Sequence, residues 1–195
     1  MRRYATIATS LTALCTSASL GAQPARAPFE VPAWAFPTAP APSPAPKPDS
    51  VVRHRVPNST RSYTMRQVGN GFDIADWFPA SHPPMPSSVQ YGVAPNARAC
   101  GYCHLPDGRG RPENGTLAGL PADYIIRQVA AFKNGTRLSA NPVLSTNSMH
   151  TLAKWVADSD VVSSARYFET LALTRRNRVV EVTRVPKTRI EVMLY

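Results

Sequence analysis

The sequence predicts an all-α domain from Pro86 to Thr174, set between a proline-rich leader and a strand-like C-terminal tail. Three observations carry this. Apolar residues between positions 121 and 172 recur at helical spacing. Half of the 20 prolines fall in residues 23–57, where neither helix nor sheet can form. From Arg178 onward apolar and charged residues alternate instead, which is strand periodicity.

Taken in order, residues 1–22 read as a secretory signal. Arg2 and Arg3 supply the charged start. Ala5 to Leu20 is apolar but rich in Thr and Ser, too short and too polar to span a bilayer, and Leu20-Gly21-Ala22 offers a small-residue cleavage site. Cys15 lies inside this segment and is lost on cleavage, leaving Cys100 and Cys103. Residues 23–57 are expected as a Pro/Ala-rich disordered linker, either a semi-rigid polyproline II spacer or a disordered tail. Residues 58–85 form an irregular extension in which Asn70-Gly71 signals a hairpin turn and Trp77 packs against the domain.

Within residues 86–174, Pro86 to Tyr91 predicts a short first helix with proline in its first turn, and Ala97 to His104 a second. Pro121 to Lys133 is amphipathic, with Ile125, Val129 and Phe132 on one face and Asn134-Gly135 at its end. Residues 136–148 are expected as loop and Met149 to Ala157 as a short helix. Asp158 is expected to cap a last helix that buries Val161, Ala165, Phe168 and Ala172. Residues 175–195 form the tail, with two short strands around Pro186-Lys187.

The chemistry lies in Cys100-Gly101-Tyr102-Cys103-His104, the Cys-x-x-Cys-His pattern of c-type haem attachment. Two intervening residues let one helical turn present both sulfurs to one edge of a porphyrin, where each thiol adds to a vinyl group. The adjacent histidine then faces the iron. Three other uses of these letters compete. A thiol–disulfide isomerase needs a buried strand before the motif and a long helix after it. Here Gly92 to Ala99 is no core strand, and Pro106, Gly108, Gly110 and Pro112 break any long helix. A zinc site lacks a second cysteine pair, although His82 and His150 remain as nitrogen donors. A disulfide rarely closes so short a loop.

An iron bound by His104 needs a partner on its other face. Methionine there gives a low-spin iron with a raised potential; an open position permits ligand chemistry. Met65, Met85, Met149, Met193, His54, His82 and His150 are available. Met149 alone among the methionines follows the motif inside the helical domain, far enough along for a helix and two loops to wrap the ring. His150 is the nearest substitute.

The chain carries 22 basic and 12 acidic residues, a formal +10; without Arg2 and Arg3 the basic count is 20 and the charge +8. Such an excess is first of all a solvated surface, and secondly a means of biasing the choice of electron partner by long-range steering. No basic-aromatic motif points to nucleic acid.

From Pro86 to about Thr174 the sequence resembles the class I c-type cytochromes, in particular small bacterial periplasmic monohaem domains. The likeness rests on Gly92, Cys100-x-x-Cys103-His104, Gly108-x-Gly110 and Leu117-Ala118-Gly119-Leu120-Pro121. It continues through Tyr124-Ile125, Gln128, Phe132-Lys133-Asn134-Gly135-x-Arg137, Met149-x-x-x-Ala153, Asp160, Ala165 and Tyr167. The resemblance implies helices packed around one haem c, with Cys100 and Cys103 holding it covalently and His104 and Met149 ligating iron. It implies that Gly92 packs the first helix on the last and that the carbonyl of Pro112 orients His104. It further implies a periplasmic electron carrier rather than an enzyme, exchanging electrons with a respiratory dehydrogenase, an oxidase or another cytochrome. Membrane association would arise only from an uncleaved N-terminal segment. The alternative is a haem-bearing subunit of a dehydrogenase or peroxidase-type enzyme, with the disulfide isomerase more remote.

Overall fold

Among the described residues a short antiparallel pair, β1 (Arg53–His54) and β2 (Tyr63–Thr64), precedes six α-helices and a 3-10 turn (Pro79–Ser81). The helices are α1 (Met65–Val68), α2 (Ser87–Gln90), α3 (Cys100–His104), α4 (Ala122–Lys133), α5 (Thr146–Ala153) and α6 (Asp158–Thr170). The computed structural model describes residues 47–138, 146–174 and 180–184, all inside the unit Val31–Tyr195. The signal-peptide reading, the linker up to residue 46 and most of the tail lie outside the described residues. Residues 180–184 carry no strand. No helix among the described residues is long and apolar enough to cross a membrane.

The core forms where α6 crosses α2 and α4. Val89 on α2, Ala122 and Ile125 on α4, and Ala165 and Phe168 on α6 are buried together with Ala118 and Leu171. Small Ala165 lets the α2 segment approach α6, and Phe168 fills the space between the elements. The amphipathic reading of α4 holds: Ile125 and Phe132 are buried and Val129 is half-buried on the same face. Glu169 on α6 accepts the Ala122 N–H at 2.8 Å, satisfying one of the donors exposed at the start of α4.

The predicted helix boundaries shift in three places. The motif helix begins at Cys100, because Ala97 instead bridges back to Val93. The helix expected from Met149 starts at Thr146 and ends at Ala153, so Val156 follows it rather than lying in it. Asp158 caps nothing. Its carboxylate takes the Lys133 ammonium at 2.6 Å, tying the end of α4 to the start of α6. Ala172, expected on the buried face, is exposed beyond the helix end, and Leu171 is buried instead.

The largest departure is the N-terminal extension. Asn70-Gly71 makes no hairpin: Gly69 caps α1, the Asn70 side chain accepts the Phe72 N–H at 2.9 Å, and the Gly71 carbonyl accepts the Ala99 N–H at 2.8 Å. The hairpin lies earlier, pairing Arg53 with Thr64 and His54 with Tyr63, so its first strand falls in the stretch read as linker. Thr64 and Gln67 close a capping box on α1. Trp77 does pack, edge-on against Tyr63 at 4.8 Å.

The extension is interlocked with the motif. The Ile74 N–H donates to the Gln90 carbonyl at 3.2 Å, and the Ile74 side chain closes over Gly101. A Cβ at Gly101 would stand 2.5 Å from Ile74 Cδ1 and 2.8 Å from the Val89 carbonyl oxygen. Gly101→Ala should therefore destabilise the domain by about 1–3 kcal/mol, although alanine is the better helix former. Thermal unfolding checks this, and Ile74→Val in the same chain should recover part of the loss.

Gly92 has a different task from the one expected. It follows α2 at φ +67, and a Cβ there would lie 2.4 Å from the Ala97 oxygen and the Ala99 nitrogen. Only glycine fits the turn that brings the chain back to the motif.

Candidate haem site

One turn of helix presents the motif. Ala99, pinned to Gly71, precedes it, and Leu105 at φ 63 ends α3 immediately after His104. The following loop folds back on the motif. The Gly110 N–H donates to the His104 carbonyl at 2.8 Å and the Arg111 N–H to the Cys103 carbonyl at 3.0 Å.

The loop also sets the histidine. His104 Nδ1–H donates to the Gly115 carbonyl at 2.8 Å, and the ring stands edge-on to Phe168 at 6.3 Å. The orienting carbonyl is thus Gly115, not Pro112. A proton held at Nδ1 leaves Nε2 as the basic nitrogen. Burial, opposed by the hydrogen bond to Gly115, holds the His104 pKa below its ordinary value, so the ring is a neutral donor.

Cys100 and Cys103 are free thiols. Burial pushes both thiol pKa values up. For Cys100 a hydrogen bond with Ser164 opposes this; for Cys103 the charges of Arg111 and Arg98 do. Those two guanidinium groups flank the Tyr102 ring, at 5.4 Å for Arg98 and 4.3 Å for Arg111. Raised thiol pKa values and a helix of five residues are the reverse of the thiolate-stabilising helix start that an isomerase uses.

Cys100, Cys103, His104 and Met149 line one apolar cavity of about 80 Å³, closed by Ile125, Leu152, Val161 and Phe168. His104, Val129 and Met149 also border an adjoining crevice of about 420 Å³ lined by Asn114, Tyr124, Gln128 and Arg137. Arg137 is held there by Gln128 Oε1 at 2.7 Å and by stacking over Phe132 at 4.8 Å.

The other candidate axial residues do not line this cavity among the described residues. His150 Nδ1–H donates to the Phe132 carbonyl at 3.0 Å, closing the end of α4, and its ring stands edge-on to Phe132. His82 pairs with Asp76 at 3.2 Å and packs against Tyr167. His54 is exposed in β1, Met65 is exposed on α1, and Met85 packs against the core cluster. Met193 lies outside the described residues. Among the described residues no group of three or more His, Cys, Asp or Glu side chains could hold a metal ion, which leaves the zinc reading without a ligand set.

Cytochrome c-552 of Acidithiobacillus ferridurans is 31% identical to the chain over 112 residues, half of this chain and 46% of the relative. Over that stretch the chain is similar to c-type cytochromes. It spans about half the length of the curated cytochrome it matches. No family model matches the sequence. Among solved structures, cytochrome c4 of Acidithiobacillus ferrooxidans is 33% identical, covering 41% of this chain and 43% of that one, with a TM-score of 0.35. Cytochrome c4 of Pseudomonas stutzeri is 28% identical over 39% and 40%, with a TM-score of 0.34. A thiosulfate dehydrogenase from Marichromatium purpuratum is 28% identical over 48% of this chain and 19% of that one, with a TM-score of 0.39.

The crevice suits the group that a Cys-x-x-Cys-His motif attaches. A haem is an apolar plate with two carboxylates on one edge. The inner cavity is walled by aliphatic and aromatic side chains, and the adjoining crevice carries amide and hydroxyl groups and the Arg137 cation. The two sulfurs stand on one wall with a basic imidazole nitrogen beside them.

Proposed function

We propose that the chain is a periplasmic electron carrier with one covalently attached haem c. In this reading Cys100 and Cys103 form the two thioethers, and His104 and Met149 are the axial ligands. The observation that carries it is the convergence of all four side chains on a single apolar crevice. When bound, the haem supplies a one-electron ferric/ferrous couple. The protein's part is to hold that couple still and keep it dry. Gly115 fixes the His104 ring, the α4 and α6 side chains exclude water, and Arg137 offsets carboxylate charge in the adjoining crevice. Burial in a low-dielectric wall favours the less charged ferrous state, as does thioether sulfur as a ligand.

The partner would be another redox protein, such as a dehydrogenase, an oxidase or a second cytochrome. The Arg98–Tyr102–Arg111 group flanks the Cys103 edge and would favour an acidic partner surface there. Export is supported by the N-terminal charged and apolar stretch and by the chemistry of haem attachment. A role as the haem subunit of an oxidoreductase uses the same site and differs only in what docks against it.

The test is the exported, purified chain. Its denatured spectrum should be that of a haemochrome that acid-acetone cannot extract, and its mass should exceed the bare peptide by one haem. A colourless protein with two titratable thiols would overturn the reading.

A further inference from the structure

Two hydroxyls are buried beside the motif helix. Ser88 on α2 is 3% exposed and Ser164 on α6 is 5% exposed. Burying a hydroxyl costs free energy unless it is hydrogen-bonded. Both are bonded, and in a directed order. Ser164 Oγ lies 3.8 Å from Cys100 Sγ and 2.7 Å from Ser88 Oγ, and Ser88 Oγ lies 3.3 Å from the Asp160 carbonyl. With a free thiol the donors run from Cys100 to Ser164, then to Ser88, then to the Asp160 carbonyl.

A thioether sulfur carries no proton, so that order cannot persist once Cys100 is attached. The Asp160 carbonyl does not depend on Ser88. It also accepts Ser163 Oγ at 3.1 Å, besides the helical N–H four residues on. Ser88 can therefore turn its proton to Ser164 across the shorter 2.7 Å contact. That frees the Ser164 proton for the sulfur.

We infer that Ser88 and Ser164 form a hydrogen-bond chain ending on the Cys100 thioether, and that Ser164 is a positioning residue that sets the reduction potential of the haem. The inference rests on the covalent-haem reading above. A donor to the sulfur draws electron density from the ring edge and stabilises the ferrous state. Ser88 strengthens the Ser164 donor by polarising it.

The test is a redox titration of the purified holoprotein. Ser164→Ala should raise the ferric-to-ferrous ratio about threefold at fixed applied potential, a fall of about 28 mV at 59 mV per tenfold. Ser88→Ala should move the ratio the same way by less than twofold. Ser163→Ala removes a donor to the same carbonyl without touching the sulfur and should leave the ratio unchanged. Coloured Ser164→Ala protein with the wild-type ratio overturns the hydrogen-bond chain alone, as does an equal shift in Ser163→Ala. If Ser164→Ala takes up no haem, Ser88→Ala carries the test, and an unchanged ratio there overturns it. A colourless wild-type chain overturns the covalent-haem reading and this inference together.

Discussion

The chain with Cys100→Ala and Cys103→Ala is expected to lose most of its helical signal in far-ultraviolet circular dichroism. The reason is the length of the elements. α2, α3 and α5 have four, five and eight residues, and even α4 and α6 have only 12 and 13. Isolated helices shorter than about 12–15 residues are marginal in water, so these must be held by packing. The packing surface is incomplete without a ring. α3, α4, α5 and α6 all turn side chains into the crevice, and wall atoms facing a void forfeit their dispersion contacts. A domain of this size has little other core with which to compensate. Undiminished native helicity in the double variant would show that the four helices support one another unaided.

Met149→Ala is expected to have the largest effect on the redox property. Axial ligands span about 0.8 V of haem potential, and a thioether ligand sits toward the high end. Replacing it with water or an adventitious ligand should lower the potential by roughly a quarter of that span. The reduced wild-type protein should show methionine proton resonances strongly shifted by the ring current, and Met149→Ala should lack them. Their survival in the variant would move the assignment to another residue. His150→Ala provides the contrast. It removes the bond to the Phe132 carbonyl and loosens α5 on α4, but it should keep the shifted methionine signals.

Much of this site is legible in the sequence because its chemistry is carried by side chains at fixed spacing. Cys100, Cys103 and His104 are such letters, and the period of Ile125, Val129 and Phe132 marks α4. Met149 could be picked out because it alone among the methionines follows the motif within the helical domain, and it lines the crevice. What was not legible depends on backbone or on distance. The carbonyl that orients His104 belongs to Gly115, and any residue could have supplied it. The Ser88–Ser164 contact joins positions 76 apart in hydroxyls that read as ordinary surface residues. Asp158 has the composition of a helix cap, but Lys133, 25 residues away, competes for its carboxylate. The extension misled for a similar reason. Asn70-Gly71 is a local hairpin signal, and the acceptor it offers is taken by Ala99 from another part of the chain.

The grip of Ile74 on Gly101 alters what counts as a portable cassette. A fragment starting at Pro86 would keep every residue of the motif but would lose the carbonyl that holds Ala99 and the side chain that roofs the first turn of α3. The stretch to transplant into another polypeptide therefore begins near Asp49, whose carboxylate gathers the Val51 and Val52 amides ahead of β1.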